Sequence, residues 1–241
     1  MSTNHQQERV DLAAAFRWAA RLGLHEAIAN HFSLAIAQDG GRFLLNPWGK
    51  HFSEIRASDL LVVDGDGNVV EGEGEVDRTA VCIHGPIHAR LPHARCILHT
   101  HMPYTTALAC VEGGRLEPIH QNGARFHDLI AYDEDFDGLA LDPGEGERLC
   151  AAMGNKSVLF MGNHGVTVLG RTVGEAFDDL YYLEKACETQ VLAMSTGRPL
   201  KPMPEDKARK TAEQWRECWE PETHFAALKR ILDKEAPDYA M

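Results

Sequence analysis

Three histidines in two short stretches hold the chemistry this sequence offers. In Leu98-His99-Thr100-His101, the preceding Arg95-Cys96-Ile97-Leu98 reads as a strand, and side chains two apart on a strand point the same way. His99 and His101 can therefore grip one ion. In Gly162-Asn163-His164-Gly165, a second apolar run, Val158-Leu159-Phe160-Met161, delivers a glycine-flanked histidine to the mouth of a loop, where backbone can approach a ligand closely. Three neutral imidazoles around one divalent ion leave coordination positions open, the ligand set of a catalytic rather than a closed structural site. The chain has 13 histidines, and a His-x-His on a strand is more often two ordinary residues than a ligand pair. Spacing alone does not bring the two stretches together, so the fold has to.

The elements that would position them can be read in order. Residues 9–24 carry apolar side chains at helical spacing (Val10, Leu12, Ala13, Phe16, Ala20) and stop at Gly23. Residues 30–37 and 42–46 read as short strands around a Gln38-Asp39-Gly40-Gly41 turn, and residues 60–70 as a hairpin preceded by a helical turn at Ala57-Ser58-Asp59. Asp77 or Thr79 caps a helix through His84, which Gly85-Pro86 is expected to kink. A strand over 96–101 leads to a helix over 105–111. The stretch 112–143 reads as loop, with strand candidates at 124–132. Helix 145–153 and strands 157–161 and 166–169 follow. Thr172 and Glu175 then form a capping box for a long helix ending near Gly197, and residues 206–235 read as two helices broken at Pro221. Strands in close pairs between flanking helices make an α/β layered domain with a mixed or antiparallel sheet.

Composition narrows the function classes. A chain of 241 residues, 44% hydrophobic and 25% charged, fits one large domain. A net charge of −12 argues against a nucleic-acid or anionic-membrane partner. No apolar run approaches the roughly 20 residues that span a bilayer, and the polar start carries no signal-peptide core, which together suggest a cytoplasmic protein. The six cysteines show no Cys-x-x-Cys pairing and read as small buried hydrophobes in a reducing compartment.

Taken together, Asn30-His31-Phe32-Ser33, Leu45-Asn46-Pro47-Trp48-Gly49, the segment Ile83-His84-Gly85-Pro86-Ile87-His88-Ala89-Arg90, Leu98-His99-Thr100-His101, Asn163-His164-Gly165 and Leu183-Glu184-Lys185-Ala186-Cys187 resemble the class II aldolase and adducin family in motif and order. The resemblance covers residues from about 8 to 235. It implies a three-layer αβα sandwich with a mostly antiparallel central sheet. It also implies one domain over residues 1–241, with a core to about 200 and a helical extension over 201–241. Further implications are a homotetramer with sites at subunit boundaries, and one divalent metal per chain held by His99, His101 and His164. Zinc is the expected ion, with manganese, iron or cobalt as alternatives. The apolar residues Trp215, Trp219, Phe225, Leu228, Ile231 and Leu232 add a second motive for an oligomer.

The resemblance also exposes departures. Sugar-phosphate members carry an acid/base carboxylate about 19 residues before the first strand histidine; here that position is Ala80. Their phosphate loops correspond to Ala29-Asn30, Trp48-Gly49 and Arg78-Thr79, making Asn30, Trp48, Gly49, Arg78 and Thr79 candidate substrate contacts. Trp48 brings bulk, and the planar fork of Arg78 suits a carboxylate as well as a phosphate. Without an anionic ligand the metal polarises substrate more strongly. Loss of carbon dioxide needs an electron sink and a later proton donor rather than a strong base, so a decarboxylase can dispense with the aldolase carboxylate. His84, one helical turn past Ala80, is the leading candidate for proton carrier, against a buried structural reading; Tyr104 and Glu75 are rivals and His88 is weaker. Gln121 is a further candidate substrate contact, against a plain loop reading.

Three function classes remain. The first is a metal-dependent lyase, decarboxylase or aldolase, acting through a metal-stabilised enolate on a small hydroxy- or oxo-acid. The second is a mononuclear non-haem iron oxygenase, and the third a non-enzymatic, adducin-like oligomeric scaffold. Retention of all three histidines argues against the scaffold.

Overall fold

A computed structural model describes residues 5–241 of the chain. Helix α1 (Gln6–Leu22) ends at Gly23, whose left-handed backbone (φ 67°) turns its N–H back onto the last carbonyls. Eight strands follow: β1 (His31–Ala35), β2 (Arg42–Leu45), β3 (Leu61–Asp64), β4 (Val69–Glu71), β5 (Cys96–Thr100), β6 (Ile130–Asp133), β7 (Val158–Met161) and β8 (Gly165–Gly170). They form one sheet in the order β4-β3-β2-β1-β5-β8-β7-β6. Each neighbouring pair is antiparallel except β6 and β7.

Strand alternation sorts side chains between two helical layers. Phe32, Leu98, Phe160 and Val166 pack with Leu12 and Phe16 of α1 and with Phe177, Leu180 and Leu183 of α6 (Val173–Met194). Ile97, Leu159 and Leu169 face the other way, onto Ile83 and Ile87 of α2 (Arg78–Arg90) and Leu149 and Met153 of α5 (Pro143–Met153). The order is helix, sheet, helix. His99, two residues from Ile97, emerges on the α2 side.

Asp77 caps α2, its carboxylate accepting from the Thr79 N–H at 2.8 Å. α2 runs through Gly85-Pro86, where the sequence predicts a kink, and continues to Arg90 with Pro86 inside it. Proline strips the Cys82 carbonyl of its helical donor. Gly146 of α5 packs directly onto that place: a Cβ there would come within 2.2 Å of the Cys82 oxygen and 2.6 Å of Pro86 Cγ. Close helix packing accommodates the proline within a continuous helix.

Two expectations change. The strand candidate at 124–132 divides: α4 (Gln121–Arg125) takes its first residues, and β6 starts only at Ile130. Arg125 is turned inward to Asp178 and Asp179 on α6, a long-range charge contact that periodicity does not reveal. The C-terminal apolar residues are mostly used within the chain. In α8 (Pro221–Glu235) Phe225 and Leu232 are buried. Trp215 of α7 (Glu205–Cys218) and the adjoining Trp219 pack on Tyr182, and the Trp18 indole donates to the Leu228 carbonyl at 3.0 Å. Ile231 alone among the six is exposed, at 38%, so this segment no longer argues for a subunit contact. Among the described residues no helix is long and apolar enough to cross a membrane. All six cysteines are free, Cys110 and Cys218 being exposed.

Candidate metal centre

The three histidines meet at one end of the central strands. β1 and β5 pair with His31 opposite His99, and β5 and β8 pair with His99 opposite Thr167. The turn between β7 and β8 places Asn163 in the left-handed region (φ 56°) and sets His164 over the strand histidines. Gly165 is required there: a Cβ would sit 2.5 Å from the Thr100 carbonyl oxygen and 2.8 Å from His101 Cδ2. Ring centroids lie 4.8 Å apart for His99 and His164, 5.0 Å for His101 and His164, and 5.2 Å for His99 and His101. One ligand atom from each falls within 4.8 Å of the others.

Hydrogen bonds behind the rings aim the remaining nitrogens. Glu26 Oε2 lies 2.7 Å from His101 Nδ1; a carboxylate accepts, so Nδ1 carries the hydrogen, which in the neutral ring leaves Nε2 its lone pair. His101 Nε2 is buried without a protein partner. The Thr167 hydroxyl donates to Met161 Sδ at 3.4 Å, so it accepts from His99 Nδ1 at 3.3 Å. His99 Nε2 is likewise left as the lone-pair nitrogen. Burial, reinforced by the neighbouring rings, pushes His99 well below the ordinary imidazole value and His164 to about 4. Low basicity favours neutral His99 and His164, the form in which histidine binds a cation, and each of the two strand ligands has a hydrogen-bond partner that orients its ring. The donor set fits a divalent metal.

A column of buried histidines runs away from the triad between β1 and α2. His31 stacks on His99, centroids 4.8 Å apart and planes 23° from parallel. Its Nδ1 lies 2.7 Å from His84 Nε2, His84 Nδ1 bonds Ser33 Oγ, and Ser33 Oγ lies 2.7 Å from His88 Nε2. His88 Nδ1 ends the run on the Ala94 carbonyl at 2.8 Å. Burial pushes His31 down to about 3 and His88 to about 4, and holds His84 well below its usual range.

The remaining candidates fall at varied distances from this centre. His84 is fully buried behind His31, so any link to the triad runs through that ring rather than by direct contact. Tyr104 packs against the α1 and α6 core, on the other side of the sheet from His99. Asn30 adjoins the triad: its Oδ1 accepts from the Glu26 and His101 amides at 2.6 and 3.5 Å, and its buried Nδ2 has no partner. Thr79 Oγ1 lies 3.5 Å from His31 Nε2. Arg78 is exposed, its Nε donating to the Leu141 carbonyl at 3.1 Å. Trp48 (56% exposed) and Gly49 line an open groove of about 790 Å³ with Lys50, Glu54 and Glu73, into which no triad residue projects. Gln121 opens α4, which packs on α6 and α7, and its carbonyl accepts from the Trp215 indole at 3.1 Å. Glu75 is exposed, with its carbonyl bonded to the Trp48 amide. Ala80 is buried in an apolar cluster with Phe43, Leu45, Leu61 and Val63.

Sequence reasoning missed Glu26, His31, Ser33 and Thr167. A signal existed for two of them: His31 and Ser33 stand two apart on a strand, as His99 and His101 do. Glu26 and Thr167 gave none, because each meets its histidine only through tertiary contact.

Comparisons with known proteins agree with one another. A family model described as the class II aldolase and adducin N-terminal domain matches residues 10–191. A solved structure, an aldolase II superfamily protein from Pseudomonas syringae, superposes with a TM-score of 0.92 at 36% identity, over 100% of this chain and 98% of that one. The decarboxylase NovR of Streptomyces niveus is 31% identical over 92% of this chain and 84% of its own length. Human beta-adducin is 34% identical over 78% of this chain, which corresponds to only 26% of that longer protein.

Proposed function

The chain belongs to the class II aldolase and adducin family, and from that premise we propose that it is a metal-dependent carbon–carbon lyase. Its substrate would be a small hydroxy- or oxo-acid, cleaved by decarboxylation or by retro-aldol reaction. The observation that carries the reading is the convergence of three imidazoles, with His101 oriented by Glu26 and its buried Nε2 left unpartnered. His99, His101 and His164 would hold one divalent ion, zinc being the expected one and manganese, iron or cobalt the alternatives. When bound, such an ion supplies Lewis-acid stabilisation of negative charge developing on a substrate oxygen.

The chain's own groups do the rest. Glu26 holds His101 in one tautomer. The unpartnered Asn30 Nδ2 is a donor placed beside His101 for a substrate carboxylate or hydroxyl. Arg78 offers an exposed cation with a planar fork, and Thr79 a hydroxyl oxygen 3.5 Å from His31 Nε2. Position 80 supplies no carboxylate, and its alanine is sealed in apolar packing, which favours a reaction that needs no strong base there. His84, which would contribute to proton handling, acts through His31. The proposal takes the whole chain as one such domain, assembled as a cytoplasmic homotetramer.

Elemental analysis coupled to a substrate screen, run with and without oxygen, tests the reading. Anaerobic release of carbon dioxide or an aldehyde from a hydroxy- or oxo-acid, with zinc, manganese or cobalt bound, supports it. Turnover that requires iron and consumes oxygen moves the protein to the oxygenase class. Failure to bind any metal leaves the adducin-like scaffold.

A further inference from the structure

The histidine column behind the triad can be solved by counting hydrogens. It has five links: Thr79 Oγ1 to His31, His31 to His84, His84 to Ser33, Ser33 to His88, and His88 to the Ala94 carbonyl. Both ends only accept. The Ala94 carbonyl has no hydrogen to give, and the Thr79 hydroxyl spends its own on Asp77 Oδ1 at 2.7 Å. Three neutral imidazoles and one serine hydroxyl supply four hydrogens for five links, so one link must go without. Two lone pairs facing each other at 2.7–2.8 Å repel, which rules out the links to His84, Ser33, His88 and Ala94. The bare link is the long one, 3.5 Å, between Thr79 and His31.

We propose that the Ala94 carbonyl, acting through His88, Ser33 and His84, fixes His31 with its hydrogen on Nδ1 and presents His31 Nε2 beside the triad as a bare hydrogen-bond acceptor. Every donor in the column then points the same way, from His31 Nδ1 toward Ala94. His31 becomes a specificity-determining residue, and His84, Ser33 and His88 become positioning residues that act through it. A ligand group placed against His31 Nε2 has to bring its own hydrogen. Within the lyase reading, on which this consequence rests, that selects the hydroxyl of a 2-hydroxy acid over the carbonyl oxygen of a 2-oxo acid.

Long-range 1H–15N correlation spectra of 15N-histidine-labelled, metal-free, full-length protein read the tautomers directly, with His31→Phe used to assign the His31 signals. In the wild type, His31, His84 and His88 are expected to be neutral with the hydrogen on Nδ1. In Ser33→Ala the column is cut: His88 keeps its tautomer on Ala94 while His31 moves toward the Nε2 form, and Ser33→Thr restores the wild-type pattern. A wild-type His31 with its hydrogen on Nε2, or a His31 indifferent to Ser33→Ala, overturns the proposal. Should Ser33→Ala not fold, the wild-type spectrum decides alone. Lactate and pyruvate then serve as probes on metal-loaded protein, where lactate is expected to bind about 5-fold tighter in the wild type, the worth of one hydrogen bond, and to lose that margin in His31→Phe. If neither acid binds, the selectivity for a 2-hydroxy acid falls while the spectra still decide the column.

Discussion

Acid should loosen this fold through His88, and the size of the effect follows from its burial. In the unfolded chain an imidazole takes up its proton near pH 6.5; in the folded protein His88, wedged between Ser33 and the Ala94 carbonyl, waits until about 4. Between those values the unfolded state binds more protons than the native state, so stability falls as pH falls. The gap of about 2.5 pH units corresponds to ~3 kcal/mol lost from pH 6.5 to 4, out of a net stability that is typically 5–15 kcal/mol. Other groups titrate in this range, so the test is a difference between two proteins. His88→Gln retains hydrogen-bonding capacity at that position but cannot take up a proton. Urea unfolding of metal-free protein, followed by tryptophan fluorescence at pH 7 and pH 4, should show the wild type losing ~3 kcal/mol more than the variant. Parallel losses would refute the reasoning, because they would mean that His88 is as easily protonated in the fold as out of it.

Other outcomes follow from the same structure. His101→Ala should lose nearly all metal by elemental analysis, and Glu26→Gln should weaken metal affinity about 10- to 100-fold by removing the charge that orients His101; full retention in either undermines the assigned ligand set. Gly165→Ala drives a methyl group toward the Thr100 carbonyl and the His101 ring, and should cost about 1–3 kcal/mol in chemical denaturation together with metal affinity. A variant as stable as the wild type would show that β8 can shift freely. Ala80→Glu places a carboxylate among Phe43, Leu45, Leu61 and Val63, and should lower the melting temperature markedly, by several kcal/mol in free energy, without adding a metal ligand. A stable Ala80→Glu protein with tighter metal binding would show that position 80 reaches the ion after all.

What the sequence revealed tracks what is local. The turn at Gly23, the hairpin of β3 and β4, the caps at Asp77 and Thr172 and the start of α8 at Pro221 each depend on residues within a few positions of one another. The triad was legible because His99 and His101 share a strand face and His164 follows a strand between glycines, although their meeting required the β5–β8 pairing. The surroundings were not. His84 looked like a neighbour of the site because helical spacing places it one turn past position 80, but that face of α2 is covered by β1, and His31 stands between. Pro86 reads as a kink site, and what the sequence does not show is Gly146 arriving against it. Trp215, Trp219, Phe225 and Leu232 read as a subunit face because their partners, Tyr182, Phe177 and the α1 core, lie far away in the chain.

The way the centre is stitched together bears on how the chain reaches its native state. Its connections join residues 53, 68 and 75 positions apart, as in His31 with His84, His99 with Thr167 and Glu26 with His101. Loops of that length close slowly compared with the hairpins on either side, so the complete ligand set is a late product of folding. His99 and His101, in contrast, stand two apart from the moment the chain is made. Divalent ions present during refolding therefore meet a two-toothed chelator before they meet a site, and any affinity for that open form works against the stabilisation the finished centre provides. Refolding from urea should proceed faster when the metal is withheld until the sheet has closed than when it is present from the start.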